Sequence, residues 1–168
     1  MNTTKLTTLA AVAALTGIAA TAGAQTNGPV GLSARVGLFL PTDSGSFSTA
    51  FAAGIDYKIS SFSVRSPGEG LQSYLGASLD YYGDGDHNNI PLHLTYNVRS
   101  GNIVYHAGIG VDFHAGNDTG TSLGGQVGIA YEFGHAGSVN KPLFVQANYF
   151  LTDKSELSGF GFYVGYRF

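Results

Sequence analysis

The stretch Gly159-Phe160-Gly161-Phe162-Tyr163-Val164-Gly165-Tyr166-Arg167-Phe168 alternates without a slip. Phe160, Phe162, Val164, Tyr166 and Phe168 fall in one phase, and Gly159, Gly161, Tyr163, Gly165 and Arg167 in the other. Successive side chains of a strand point to opposite faces, so this segment carries an apolar aromatic face backed by a small and polar one. An exposed final Phe stabilises nothing in water, whereas on a barrel strand facing lipid it does.

Seven earlier segments share this pattern, at about 31–40, 51–59, 71–82, 90–98, 103–114, 122–133 and 143–151. Turn-forming clusters separate them, such as Pro41–Ser46 and Gly83–Asn89, and Ser100-Gly101 is short enough for a tight hairpin. Residues 60–70 do not alternate, and their path stays open between a longer hairpin and a bulge. The expected fold is all-β, a closed eight-stranded antiparallel transmembrane barrel.

Alternation alone does not separate a membrane barrel from a soluble one, which would hide its apolar face and wet its polar face. Three features choose the membrane. The polar phase is rich in glycine, including Gly37, Gly54, Gly76, Gly108, Gly110, Gly124, Gly128, Gly161 and Gly165, which suits a crowded narrow lumen. The strand charges Arg35, Asp56, Lys58, Asp80, Asp112, Glu132 and Arg167 all share that phase. A charge on the lipid face would cost roughly 2–4 kcal/mol at the bilayer midplane. Finally, the aromatic residues of the apolar phase sort to the strand ends. With the carboxyl terminus placed in the periplasm, Tyr57, Tyr96, Tyr105, Tyr131, Phe133, Tyr166 and Phe168 ring one rim. Phe51, Tyr81, Phe113, Tyr149 and Phe160 ring the other, giving the two girdles a bilayer selects.

Composition agrees. The chain has 168 residues, enough for one domain, with 43% hydrophobic and 11% charged residues. Ordinary globular domains carry roughly 25% charged residues, so this surface is poorly suited to water. There is no Cys, which removes disulfides and thiolate metal sites. Residues 1–24 read as a secretory signal, with Lys5, an Ala-rich apolar run and Ala22-Gly23-Ala24 as the cleavage site. The barrel domain is then 25–168. Loss of Lys5 takes the net charge from −3 to −4, and no basic run suggests nucleic acid.

The closing stretch Phe162–Phe168, above all Gly165-Tyr166-Arg167-Phe168, resembles the last strand of small bacterial outer-membrane barrels of the OmpX/Ail, OmpW and OmpA types. Val36-Gly37-Leu38-Phe39-Leu40-Pro41 is similar to their opening strand. The resemblance implies an outer-membrane location among lipid, a monomeric chain, and transit on periplasmic chaperones. It also implies that Val164, Tyr166 and Phe168 signal to the barrel-assembly machinery. These families include adhesins, stress proteins, channels and anchors, so the resemblance leaves the task open.

Eight strands enclose a lumen that side chains fill, which disfavours a wide pore. Arg35, Asp56, Lys58, Asp80, His93, His106, Asp112, Glu132 and Arg167 are expected to form a lumen polar network. His93, His106 and His114 share the inward phase, with Asp80 and Asp112 as candidate partners. A hydrolase would need a Ser beside one of these His. Ser33 and Ser78 point inward, but nothing in the sequence brings them to a His, and no match to the His/Ser pattern of lipid A deacylase barrels is found. Asp84-Gly-Asp86-His-Asn88 imitates the start of a calcium loop but has Asn89 and Thr95 where Gly and Glu belong. The expectation is therefore no cofactor, no metal and no enzymatic activity. A structural or surface-interaction role leads. A narrow channel or small-molecule cavity, and a lipid-modifying enzyme, are the alternatives.

Overall fold

The structure is a computed structural model that describes residues 31–43, 49–62, 71–84, 86–116, 119–134 and 142–168, without the side chains of 60–62. The expected signal segment 1–24 and most of the unresolved path 60–70 lie outside the described residues.

Eight strands run in chain order: β1 (Leu32–Pro41), β2 (Ala50–Phe62), β3 (Leu71–Gly83), β4 (His87–Ser100), β5 (Ile103–Gly116), β6 (Gly120–Phe133), β7 (Leu143–Leu151) and β8 (Gly159–Arg167). Each pairs antiparallel with the next, and β8 returns to β1 to close the barrel. Val36 lies opposite Val164 and Leu38 opposite Phe162 in that seam, so the sequence stretch that opens the reading also closes the fold. Closure leaves no strand edge unpaired, which a hydrocarbon surround requires.

Every strand anticipated from alternation is present, within a few residues at each end. The ladder between β2 and β3 shifts register between Lys58 and Ser60, at the point where alternation fails in the sequence. The β4–β5 hairpin turns on Gly101 and Asn102, with Gly101 at φ +62°, a conformation that glycine adopts at no steric cost. The β3–β4 ladder lapses between Leu79↔Leu92 and Tyr82↔Asn89, beside Pro91, which has no N–H to donate.

The apolar phase faces outward. Leu38 is 53% exposed and Val127 48%, while Arg35 and Asp112 are each 1% exposed. The exposed band continues around the barrel through Leu79, Leu94, Ile109, Ile129, Val145 and Val164. So large an apolar surface is stable against acyl chains rather than water.

The lumen is filled. Toward the end away from the termini, Phe39 stacks on Tyr82 at 4.1 Å and Tyr82 meets Phe150 at 4.8 Å. Leu157, on a 3-10 turn (Ser155–Leu157) between β7 and β8, is buried with this aromatic layer, and its carbonyl accepts the Tyr82 hydroxyl at 2.9 Å. Close approach explains the inward glycines. A Cβ at Gly124 would overlap the Asp112 carboxylate, and one at Gly165 would overlap the Phe144 ring.

Candidate active site

Two kinds of polar site occupy the lumen, one sealed and one open. In the sealed layer, Arg35 of β1 bridges β2 and β3. Its Nη2 donates to Asp80 Oδ1 at 2.8 Å and Oδ2 at 2.9 Å, and its Nη1 pairs with Asp56. His93 of β4 sets Nε2 2.8 Å from Asp112 Oδ1 on β5. Asn89 Nδ2 donates to Asp112 Oδ2 at 3.2 Å and to the Tyr82 hydroxyl at 2.8 Å. Gln126 donates to Ser78 Oγ at 2.5 Å. Ser78 is thus held by an amide, and Ser33 lies 3.4 Å from Asp56 Oδ2; neither serine meets a His.

Nearer the termini, Glu132 Oε1 accepts from Arg99 at 2.8 Å and from Arg167. Lys58 has no carboxylate partner among the described residues, and its ammonium lies 5.2 Å from the Tyr74 ring centre. His106 packs where Gly128 leaves room beside Asn148, away from Asp80 and Asp112, which Arg35 and His93 occupy.

The open site is at the end away from the termini. His114 lies near the end of β5, and Ser122 near the start of β6. Because Asp112 pairs with Ser122 and His114 with Gly120, His114 and Ser122 are diagonal neighbours on the inward face. Ser122 Oγ is 2.9 Å from His114 Nε2. Asp153, in the β7–β8 connection, places Oδ1 3.2 Å from the same nitrogen. Hydrogen bonds from the Ser122 hydroxyl first and from Thr152, together with His114 in its protonated form, hold the Asp153 carboxyl below the usual aspartate range. Its side chain is 56% exposed, whereas that of His114 is 2% exposed.

The carrier loop is anchored. Thr42 Oγ1 donates to Ser158 O at 2.9 Å, Ser158 Oγ accepts from Thr152 N at 3.1 Å, and Ser155 Oγ donates to Asp43 Oδ2 at 3.2 Å. A cleft of about 420 Å³ opens beside Asp153, lined by Thr42, Asp43, Tyr149, Thr152, Ser155 and Ser158. A serine and an imidazole meeting a carboxylate that borders a cleft can perform nucleophilic catalysis. Asp153 meets the nitrogen that faces the serine rather than the far one, so it is placed to accept the proton's N–H after transfer.

Ser122 and Asp153 were missing from the sequence-derived candidates. Counting the symmetric β5–β6 hairpin would have put Ser122 diagonal to His114. Asp153 carries no such local signal. At the calcium-like segment, Asp84 Oδ1 instead accepts the backbone N–H of Asp86 at 3.1 Å and of His87 at 3.0 Å, a local turn.

No family model matches this chain, and no curated protein does. A solved structure titled "Crystal structure of the outer membrane enzyme PagL" is similar, with 19% identity and a TM-score of 0.48, over 81% of this chain and 97% of that one. The expectation of a protein without enzymatic activity is corrected here: the similar structure is titled an enzyme, and in this chain Ser122 and Asp153 both meet His114. The fold is a closed eight-stranded antiparallel barrel, apolar outside and polar within.

Proposed function

We propose that the protein is an outer-membrane barrel hydrolase that cleaves an acyl ester presented at the barrel end away from its termini. The observation that carries this reading is Ser122 Oγ at 2.9 Å from His114 Nε2, with Asp153 Oδ1 at 3.2 Å from that nitrogen. In the proposed step the Ser122 hydroxyl turns from Asp153 to the unprotonated His114 Nε2, and Oγ attacks the ester carbonyl carbon as its proton passes to that nitrogen. The new N–H then donates to the Asp153 carboxylate, which stabilises the imidazolium. Collapse of the tetrahedral adduct expels the alcohol, which takes that proton, and water then releases the acyl group from Ser122.

An ester of an outer-leaflet lipid fits the site's level. The external ring at this end includes Phe113, Tyr149 and Phe160, with Tyr149 and Phe160 at 4.8 Å, where a girdle meets the headgroups. The aromatic layer Phe39–Tyr82–Phe150 beneath the site favours an enclosed catalytic mouth over a conducting channel.

Several further readings belong to the same proposal. They are a cleaved signal at 1–24, passage on periplasmic chaperones, and insertion signalled by Val164, Tyr166 and Phe168 to the assembly machinery. They also include residence in the bilayer as a monomer without nucleic acid, and kinship with OmpX/Ail, OmpW or OmpA-type barrels.

The test is hydrolysis of a short-chain nitrophenyl ester and of a lipid A or phospholipid preparation by the refolded full chain in detergent. Activity lost in Ser122→Ala, while the unboiled band still migrates as a folded barrel, supports the proposal. Equal turnover by wild type and Ser122→Ala, or none by folded wild type on either substrate class, ends it.

A further inference from the structure

The half of the lumen near the termini encloses a cavity of about 340 Å³ that the hydrolase reading does not use. Its size sits at the lower end of small-molecule pockets, roughly 300–1,000 Å³. Lys58, Arg99 and Arg167 line it, and Asp56 is the one carboxylate in its lining, already paired with Arg35. Glu132 sits behind and serves Arg99 and Arg167 through a single oxygen, Oε1. Arg35 is shared between Asp56 and Asp80, so Lys58, Arg99 and Arg167 stand against Asp56 and Glu132, a surplus of one positive charge.

The donors are also underused. Arg99 Nε is buried without a hydrogen-bond partner among the described residues. A guanidinium offers five N–H groups, and Arg99 commits Nη2 to Glu132. Lys58 has only the face of Tyr74 within reach. The buried Arg99 Nε is costly away from bulk water unless an acceptor satisfies it, and the exposed Lys58 brings its ammonium to the same lining. Thr95, Asn97 and Gln146 add polar lining, and Tyr74 and Phe144 add flat apolar surface. The side chains of Arg99 and Arg167 are 23% and 21% exposed, so the cavity opens at the end carrying the termini.

We infer that this cavity binds a small organic oxyanion, a phosphate ester or carboxylate of about sugar-phosphate size, clamped by Lys58, Arg99 and Arg167. The ligand enters from the side of the termini and does not reach Ser122, since the aromatic layer lies between.

The test is calorimetric titration of the refolded full chain in detergent with inorganic phosphate, glucose 6-phosphate and citrate. Saturable binding of at least one probe is expected, weakened about tenfold or more in Lys58→Gln and in Arg99→Gln, and unchanged in Ser122→Ala. Preference for the phosphates or for citrate identifies which oxyanion the clamp takes. Lys58 bears no ion pair, so Lys58→Gln keeps the barrel even if Arg99→Gln does not; the heat-dependent gel shift reports folding of each. No saturable heat from folded wild type up to about 10 mM of any probe overturns the inference, as does binding that Lys58→Gln leaves unchanged. Because Ser122→Ala spares this site, its failure is separable from failure of the hydrolase reading.

Discussion

His93 with Asp112 and His114 with Asp153 are two imidazole–carboxylate pairs on one lumen wall, at 2.8 Å and 3.2 Å, yet they are suited to different work. Around His93, among the described residues, there is no hydroxyl nucleophile in hydrogen-bond contact; the ring is buried and its carboxylate is fixed by Asn89. Around His114 there is a serine and a half-exposed carboxylate, Asp153, which borders a cleft. The difference teaches that a His–Asp contact in a barrel becomes chemistry only where a nucleophile joins it at a place substrate can reach. Deeper in the lumen the same contact holds strands together.

The sharpest way to break that contrast is at the serine. Ser122→Ala should reduce ester hydrolysis about 10⁴-fold, some ~5 kcal/mol of transition-state stabilisation, while Ser78→Ala, in the sealed layer, leaves the rate near wild type. Steady-state kinetics on both folded variants decide it.

Next in size is the sealed layer. Asp80→Ala leaves the Arg35 guanidinium without its bidentate partner in a site 1% exposed. Arg35 keeps Asp56, so the cost falls short of the about 3–5 kcal/mol of fully stranding a buried charge, and is read as a lower urea midpoint for unfolding from lipid vesicles. If Asp80→Ala unfolds at the wild-type midpoint, the layer is not structural. The outside of the barrel comes third. Val127→Lys places a charge on the lipid face and should cost about 2–4 kcal/mol in vesicles, whereas a water-facing Val127 would tolerate Lys.

The smallest expected effect is the titration of Asp153. Its folded carboxyl lies below the ordinary aspartate value of 3.8. A depressed folded value means that its hydrogen bonds are fully present above the unfolded pKa and are lost as pH falls through the folded one. Carboxyl-carbon NMR should therefore place its midpoint below 3.8 and move it upward in Ser122→Ala.

The barrel was legible in the sequence because its governing rule is local. Period-two alternation sets which side chains face lipid, and one slip would invert a whole strand. That is why Gly159–Phe168 alone announces the fold, and why Arg35 and Asp112 could be placed inside from their phase. The site was legible only in part. His114 could be placed on the inward face, but its partners were not read. Ser122 required counting the hairpin register across three loop residues. Residues 60–70 stayed open because a bulge breaks the period on which the reading depends.

Lipid-facing pattern, strand number and the inward set of charges thus follow from the order of residues, since each depends on neighbours two apart. Seating Glu132 between Arg99 and Arg167, and carrying Asp153 onto His114 from 39 positions away in the chain, required the tertiary arrangement of the barrel. Side-chain phase is a property of one strand, whereas a meeting across the lumen depends on the stagger of all eight strands and the loop that caps them.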